Sequence, residues 1–196
     1  MMNFMQIARS AIVVITVGTI ACGGSGSPTG PSGGGATFNL MLTDSPFGDA
    51  KSVLVTFSEV TAHRDTESDF TRLPFAANAI ARTCDLKKLQ TAQDVLGTGT
   101  LPAGHYTQVR LVVSSATIYF DNAAAGAACA PTLAAPAGRN SPVDIPSGEV
   151  KLNRPFDVPA SGTTTMLLDF DGDRSIRETG NGRYLMTPVI AVMSVQ

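Results

Sequence analysis

Residues 37–43 read Thr-Phe-Asn-Leu-Met-Leu-Thr, and residues 164–170 read Thr-Thr-Met-Leu-Leu-Asp-Phe. In each stretch every second residue is apolar, which places Phe38, Leu40 and Leu42 on one face of an extended chain. A period of two is typical of a half-buried β-strand, whereas an amphipathic helix repeats every 3.6 residues. These stretches predict strands, and they decide the fold class.

The same alternation continues after the first strand, with one change of phase. Val53 and Phe57 share a face, but the next apolar positions in the alternation are Val60 and Ala62. A shift of one residue within a strand is what a β-bulge produces. We therefore predict a bulge near residues 58–59.

Further strands are predicted over residues 107–113 and 116–120, again from alternating apolar positions. Residues 184–195 are apolar on both faces, which predicts a strand covered on both sides, and Pro188 predicts a bulge or an edge within it. Residues 123–142 are rich in Ala, Pro and Gly and predict a long surface loop.

One stretch favours a helix, because Asp85 is a suitable N-cap for residues 86–96. The remainder predicts about eight short strands with frequent turn signals. The expected fold is all-β: an antiparallel β-sandwich of prealbumin-like or immunoglobulin-like Greek-key type, with at most one short helix. It would be a single domain over residues 37–196.

The composition narrows the possible functions. The chain has 196 residues, of which 14 are Lys or Arg and 16 are Asp or Glu, and it contains no Trp. That length suits one domain. A net charge of −2 without a basic stripe argues against a nucleic-acid partner.

The N-terminus predicts a targeting segment. Arg9 supplies a positive charge and residues 11–21 form an apolar stretch, too short for the roughly 20 residues that span a bilayer. Residues 19–22, Thr-Ile-Ala-Cys, resemble the bacterial lipobox, in which the Cys becomes the acylated N-terminus. We therefore predict a lipoprotein signal peptide over residues 1–21 and lipid attachment at Cys22.

Two alternatives for the N-terminus stay open. The lipobox prefers Leu where this chain has Thr19, so ordinary secretory cleavage or an uncleaved anchor would also fit.

After Cys22, the uncharged segment 23–36 contains seven glycines and would form a flexible tether of roughly 20 Å. Gly23 is not Asp, so in a diderm cell the usual sorting rule predicts the outer membrane.

Lipidation of Cys22 would leave Cys84 and Cys129 as an even pair in an oxidising compartment, which predicts a disulfide between them. Two free thiols are the alternative. A zinc site using His63 or His105 is disfavoured, because no paired Cys or His spacing is present.

Asp169, Asp171 and Asp173 stand at alternate positions with a Gly between the last two. Oxygen ligands around a tight turn suit Ca²⁺, and Asp44 or Asp121 could join them. This is not an EF-hand, because Gly180 stands where the bidentate Glu belongs. The alternative is a strand end whose carboxylates bond to nearby backbone amides.

Other chemistry has little support. No nucleophile elbow, zinc-protease motif, phosphate loop or dinucleotide fingerprint is present, and each His stands alone. Tyr106, Tyr119 and Tyr184 are expected to be structural rather than to form a stacking platform. We therefore expect no cofactor, with Ca²⁺ as the exception, and no enzyme activity.

Residues 43–46 read Thr-Asp-Ser-Pro, residues 101–111 read Leu-Pro-Ala-Gly-His-Tyr-Thr-Gln-Val-Arg-Leu, and residues 168–176 read Leu-Asp-Phe-Asp-Gly-Asp-Arg-Ser-Ile. A fourth block is Tyr184 with Thr-Pro-Val-Ile at residues 187–190. In these four blocks the sequence resembles the bacterial domain-of-unknown-function family 4382, and the resemblance spans residues 37–196. The resemblance implies an envelope lipoprotein with an all-β, prealbumin-like sandwich. It implies no reaction.

Taken together, the sequence predicts a protein of the bacterial cell envelope that is attached to the membrane through an N-terminal lipid. Its folded domain would lie outside the cytoplasm and bind an envelope protein or an extracellular polymer without catalysis. The alternative is a metal-assisted hydrolase or a Ca²⁺-dependent binding module that uses the acidic residues 169–173.

Overall fold

The structure is a computed structural model that describes residues 34–45, 48 and 50–196. The predicted signal peptide, the lipid-attachment residue Cys22 and nearly all of the tether lie outside these residues. Within them, the chain forms two β-sheets and three short helical segments. The predicted all-β fold is confirmed.

The strands and helices have the following bounds. In chain order the strands are β1 (Gly35–Ser45), β2 (Ser52–Arg64), β3 (Phe70–Arg72), β4 (Arg82–Asp85), β5 (Asp94–Pro102), β6 (Gly104–Tyr119), β7 (Cys129–Ala130), β8 (Asn140–Asp144), β9 (Glu149–Leu152), β10 (Phe156–Val158), β11 (Thr163–Asp171), β12 (Ile176–Gly180), β13 (Arg183–Met186) and β14 (Ile190–Val195). The helices are α1 (Leu86–Leu89) and α2 (Gly172–Ser175), with a 3₁₀ turn at Ala76–Asn78.

The two sheets face each other across one core. The small sheet has the order β14-β11-β1-β5. The large sheet has ten strands, with β12-β13-β8-β6-β2-β4-β7 as its main order, β9 and β10 beside β6, and β3 beside β2. Phe38 of the small sheet stacks on Phe156 of the large sheet at 5.2 Å between ring centroids, and Phe57 meets Phe170 edge-on at 6.4 Å.

The sheets are mixed rather than purely antiparallel, which corrects the prediction on this point. β1 runs parallel to β11, and β8 runs parallel to β13. Parallel neighbours need a long connection, and here the chain between β1 and β11 builds most of the large sheet first. Alternation of apolar residues reports which side of a strand is buried but not the direction of its neighbour.

The predicted bulge in β2 is confirmed. The pairing of β2 with β6 shifts register on both sides of Phe57, immediately before Glu59. The bulge lets Val53, Phe57 and Val60 all reach the core despite the change of phase. The two predicted strands at 107–113 and 116–120 are one long strand, β6.

The predicted helix begins where expected but ends early. The Asp85 carboxylate accepts a hydrogen bond from the Lys87 backbone N–H, so Asp85 is the N-cap of α1. The helix ends at Leu89, whose carbonyl accepts a hydrogen bond from the Thr43 hydroxyl at 3.0 Å. The chain then pairs as β5 with β1.

There are two four-residue helices among the described residues, where at most one short helix was predicted. The second, α2, follows β11 directly and has Asp171 as its N-cap. Neither helix in this part of the chain is long and apolar enough to cross a membrane.

The C-terminal apolar stretch is not a single strand covered on both sides, and that prediction is wrong. It divides at Pro188 into β13 of the large sheet and β14 of the small sheet. β14 lies at the edge of its sheet, where Met193 is 60% exposed. Pro lacks an N–H and suits the point at which the chain changes sheets.

The predicted disulfide between Cys84 and Cys129 is present and joins β4 to β7. A polar network supports it, because the Asp94 carboxylate accepts from the Cys129 backbone N–H and from the buried Arg82, each at 3.0 Å. Together these bonds fix one point of the long 123–142 segment, which is otherwise mostly exposed, as predicted.

Candidate functional site

The strand directions define two ends of the sandwich. At the entry end, β1 begins at Gly35, opposite Pro102 of β5, and β6 begins at Gly104. At the far end, β1 finishes at Ser45 and β6 finishes at Tyr119. Loops at the far end include the long segment between β6 and β8.

A cleft that combines aromatic and polar side chains lies at the far end, and we call it the aromatic cleft. It runs between the end of β6, the start of β8 and the tip of the β12–β13 hairpin, with a volume of about 410 Å³. Its lining residues are Phe120, Arg139, Asn140, Ser141, Gly182 and Tyr184.

Two aromatic rings form the apolar part of the aromatic cleft. The centroids of Phe120 and Tyr184 are 5.9 Å apart and the ring planes are tilted by 41°. The Arg139 guanidinium lies 5.8 Å from the Phe120 ring centroid, within cation–π distance. The rings thus form one adjoining apolar surface with a cation at its border.

The Arg139 side chain is exposed but held in place. Its guanidinium pairs with the Asp121 carboxylate at 3.0 Å, and the same carboxylate accepts from the Arg139 backbone N–H at 2.7 Å. These bonds lower the pKa of Asp121. The Phe120 N–H also donates to the Arg139 carbonyl, which closes the base of the 121–139 loop.

Backbone conformation sets the two walls of the aromatic cleft. Gly138 has a φ of 101°, and a β-carbon there would lie 2.7 Å from an Asp121 carboxylate oxygen. The hairpin turn uses left-handed Asn181 and Gly182. The Ser141 hydroxyl donates to the Gly182 carbonyl at 3.1 Å, which joins one wall to the other.

The three predicted Ca²⁺ ligands are not brought together. The Asp169 carboxylate accepts from the Ser45 hydroxyl at 2.7 Å, whereas Asp171 caps α2 and Asp173 is exposed on that helix. Among the residues that the structure describes, no three His, Cys, Asp or Glu side chains form a group that could hold a metal ion. The Ca²⁺ hypothesis therefore gains no support from the geometry.

Asp44 is the most unusual carboxylate of the described chain. It is 5% exposed, and neither of its oxygens has a hydrogen-bond partner among the described residues. Burial raises its pKa to about 8, and the charge of Asp169 acts in the same direction. The Gln90 amide and the Gly172 backbone N–H lie near enough to oppose that rise, but neither meets hydrogen-bond geometry.

Both histidines are engaged in local contacts. His63 lies 3.0 Å from the Thr107 hydroxyl and its ring is 4.7 Å from that of Phe70. His105 lies 2.7 Å from the Asp157 carboxylate, and this hydrogen bond raises the pKa of His105. Neither residue lines the aromatic cleft.

The three tyrosines have different surroundings. Tyr106 is fully buried and donates to the Pro102 carbonyl at 2.9 Å, so it is structural, as predicted. Tyr119 is also buried. Tyr184 is partly buried and packs against the hydrophobic core, as expected of a structural residue, and it also lines the aromatic cleft.

The sequence does not predict most of the aromatic cleft. Its residues come from three separated parts of the chain, so no local motif marks Arg139 or Asn140. The burial of Asp44, in contrast, is indicated by the sequence pattern. Asp44 continues the two-residue period of Phe38, Leu40 and Leu42, which places it inward.

Fold and site together define a disulfide-linked, all-β sandwich domain with an open cleft among its end loops. The chain belongs to the family described as domain of unknown function DUF4382, whose family model matches residues 35–188. No similar protein was found among the curated proteins, and no similar solved structure was found.

Proposed function

We propose that this protein is a lipid-anchored protein of the cell envelope whose β-sandwich binds a protein or polymer partner without catalysis. The observation that carries the proposal is the separation of the two ends. The chain enters the domain at Gly34, beside the entry end, whereas the aromatic cleft opens at the far end. The aromatic cleft and Gly34 therefore lie at opposite ends of the folded domain.

The sequence supports the anchoring half of the proposal. The lipobox-like residues 19–22 offer an acylation site, and the Gly-rich segment that follows is long enough to hold the domain clear of lipid headgroups. One acyl chain gives only weak membrane binding, so two or more are needed for stable attachment.

The composition of the aromatic cleft supports the binding half. Binding sites combine apolar and aromatic surface with a few polar groups that set orientation. Here Phe120 and Tyr184 provide the rings, and Arg139 and Asn140 provide exposed polar groups. The loops that carry them are held by the Asp121 pair and by the disulfide.

Site-specific photo-cross-linking on intact cells tests the proposal. A photoreactive amino acid replaces Ala135, an exposed residue of the 121–139 loop at the far end. We expect a covalent adduct with one dominant envelope component after irradiation, because this position lies on the exposed loop that closes at the cleft residues Phe120 and Arg139.

The matched control carries the same photoreactive residue in place of Ala160, an exposed alanine near Gly34 at the entry end. We expect no adduct with that component from this position. Adducts from both positions in equal yield, or from neither, would show that the far end is not a contact surface.

A further inference from the structure

We propose that the aromatic cleft binds a neutral pyranose unit of an extracellular polysaccharide. This inference rests on the proposed function and specifies its partner. It follows from the shape of the aromatic surface, from the charge of the surrounding side chains and from the openness of the site.

The ring geometry favours a ligand that stacks on one face, such as a sugar, over a planar group held between two rings. With centroids 5.9 Å apart and a tilt of 41°, Phe120 and Tyr184 contact each other and leave no parallel slot between them. A nucleobase or aromatic side chain would therefore not be sandwiched. A pyranose ring stacks on one side only, with its C–H groups against the electron-rich face of an aromatic ring.

The charges around the rings cancel. Arg139 is paired with Asp121, and the neighbouring Arg183 is paired with Asp144 at 3.2 Å. These exposed pairs therefore offer a strongly anionic or cationic ligand no net opposite charge. A neutral ligand leaves both intact, and it still meets donors on the guanidinium and acceptors on the carboxylate.

The hydroxyl groups of a sugar complement the other polar side chains of the aromatic cleft. The Asn140 side chain is exposed, and its amide nitrogen donates one hydrogen bond to the Gly138 carbonyl at 3.3 Å. The second N–H of this amide and its carbonyl oxygen can meet a sugar hydroxyl, which is itself donor and acceptor. The cleft is open to solvent along its length between the 121–139 loop and the hairpin tip. Its volume of about 410 Å³ lies in the range of small-ligand sites, so single units of a longer chain suit it.

Affinity gel electrophoresis of the detergent-solubilised full chain tests this inference. The gels contain dextran, galactomannan or hydroxyethylcellulose as neutral polysaccharides, and alginate as an anionic one. We expect at least one neutral polymer to retard the protein. Tyr184→Ala should weaken that retardation about tenfold in apparent affinity, because the stacking face is removed. Tyr184→Phe should stay within about twofold of wild type, since it keeps the ring.

Two further variants keep the result interpretable. Arg139→Ala removes a side chain that is 79% exposed, so it should fold normally and still weaken binding. Phe70→Ala is the matched control, because Phe70 also has an arginine over its ring: the Arg110 guanidinium lies 3.7 Å from the ring centroid. Phe70 belongs to β3 and lies away from the aromatic cleft. This variant should not change retardation, and thermal melting verifies the fold of each variant.

Three results would overturn the polysaccharide inference: alginate alone retards the protein, no polymer retards it, or wild type and Arg139→Ala are retarded equally. None of those results would decide the outcome of the cross-linking experiment, which tests the proposed function separately. An adduct from the Ala135 position with a protein would then retain the binding proposal and replace the sugar as its partner.

Discussion

Asp44 occupies the last inward position of β1, in line with Phe38, Leu40 and Leu42. The pattern that fills the core with apolar side chains therefore also buries a carboxyl group. Because that group is removed from water and lacks hydrogen-bond partners among the described residues, its neutral form is favoured in the folded state.

The first prediction concerns Asp44 and pH. Its pKa rises from 3.8 to about 8 on folding, so between these values the folded state holds a proton that the unfolded state has lost. The free energy of unfolding should therefore fall as pH rises from 4 to 8, by no more than about 1.4 kcal/mol per pH unit, and level off above 8. Asp44→Asn should remove this slope and be more stable than wild type at pH 8.

Urea denaturation of wild type and Asp44→Asn at several pH values between 5 and 9 measures this difference. Asp173→Asn is the control, because Asp173 is an exposed acid on α2. Its profile should follow the wild type. Parallel profiles for Asp44→Asn and wild type would refute the raised pKa.

At the scale of elements, the disulfide determines how the far-end loop is attached. β7 has only two residues, and its pairing with β4 coincides with the Cys84–Cys129 bond. So short a strand contributes little by its own hydrogen bonds. The cross-link and the Asp94 bonds therefore hold this part of the loop against the sheet.

The second prediction is that Cys84→Ser/Cys129→Ser lowers the free energy of unfolding by about 2–4 kcal/mol. The bond joins residues separated by 45 positions, and a loop of that length is constrained by about 4 kcal/mol in the chain-entropy model. Urea denaturation measures the loss. A reducing agent should destabilise wild type and leave the variant unchanged, and an equal response in both would contradict the prediction.

At the scale of the whole molecule, the sequence was sufficient for the fold class because burial imposes its period on each strand. It located β1, β11, the bulge in β2, the cap at Asp85 and the disulfide. It did not reveal that β1 lies parallel to β11, because strand direction depends on pairings between distant segments. The aromatic cleft was missed for the same reason, since Phe120, Arg139 and Tyr184 meet only after folding.

The third prediction concerns the anchor. If Cys22 is acylated, cells fed radiolabelled palmitate should label the wild-type protein and leave Cys22→Ala unlabelled. The variant should also leave the membrane fraction. Cys84→Ser/Cys129→Ser is the control, because it keeps Cys22 and should label like wild type. Equal labelling of wild type and Cys22→Ala would show that the lipid prediction is wrong.

The place of β1 in the small sheet has a consequence for the order of folding. β1 is the first strand of the described residues, yet one of its two neighbours is β11, which begins at Thr163. A ribosome must therefore complete most of the chain before the small sheet gains its central pair. Pairings across such a separation form slowly, so we expect the small sheet to close last, after β2 and β6 have joined.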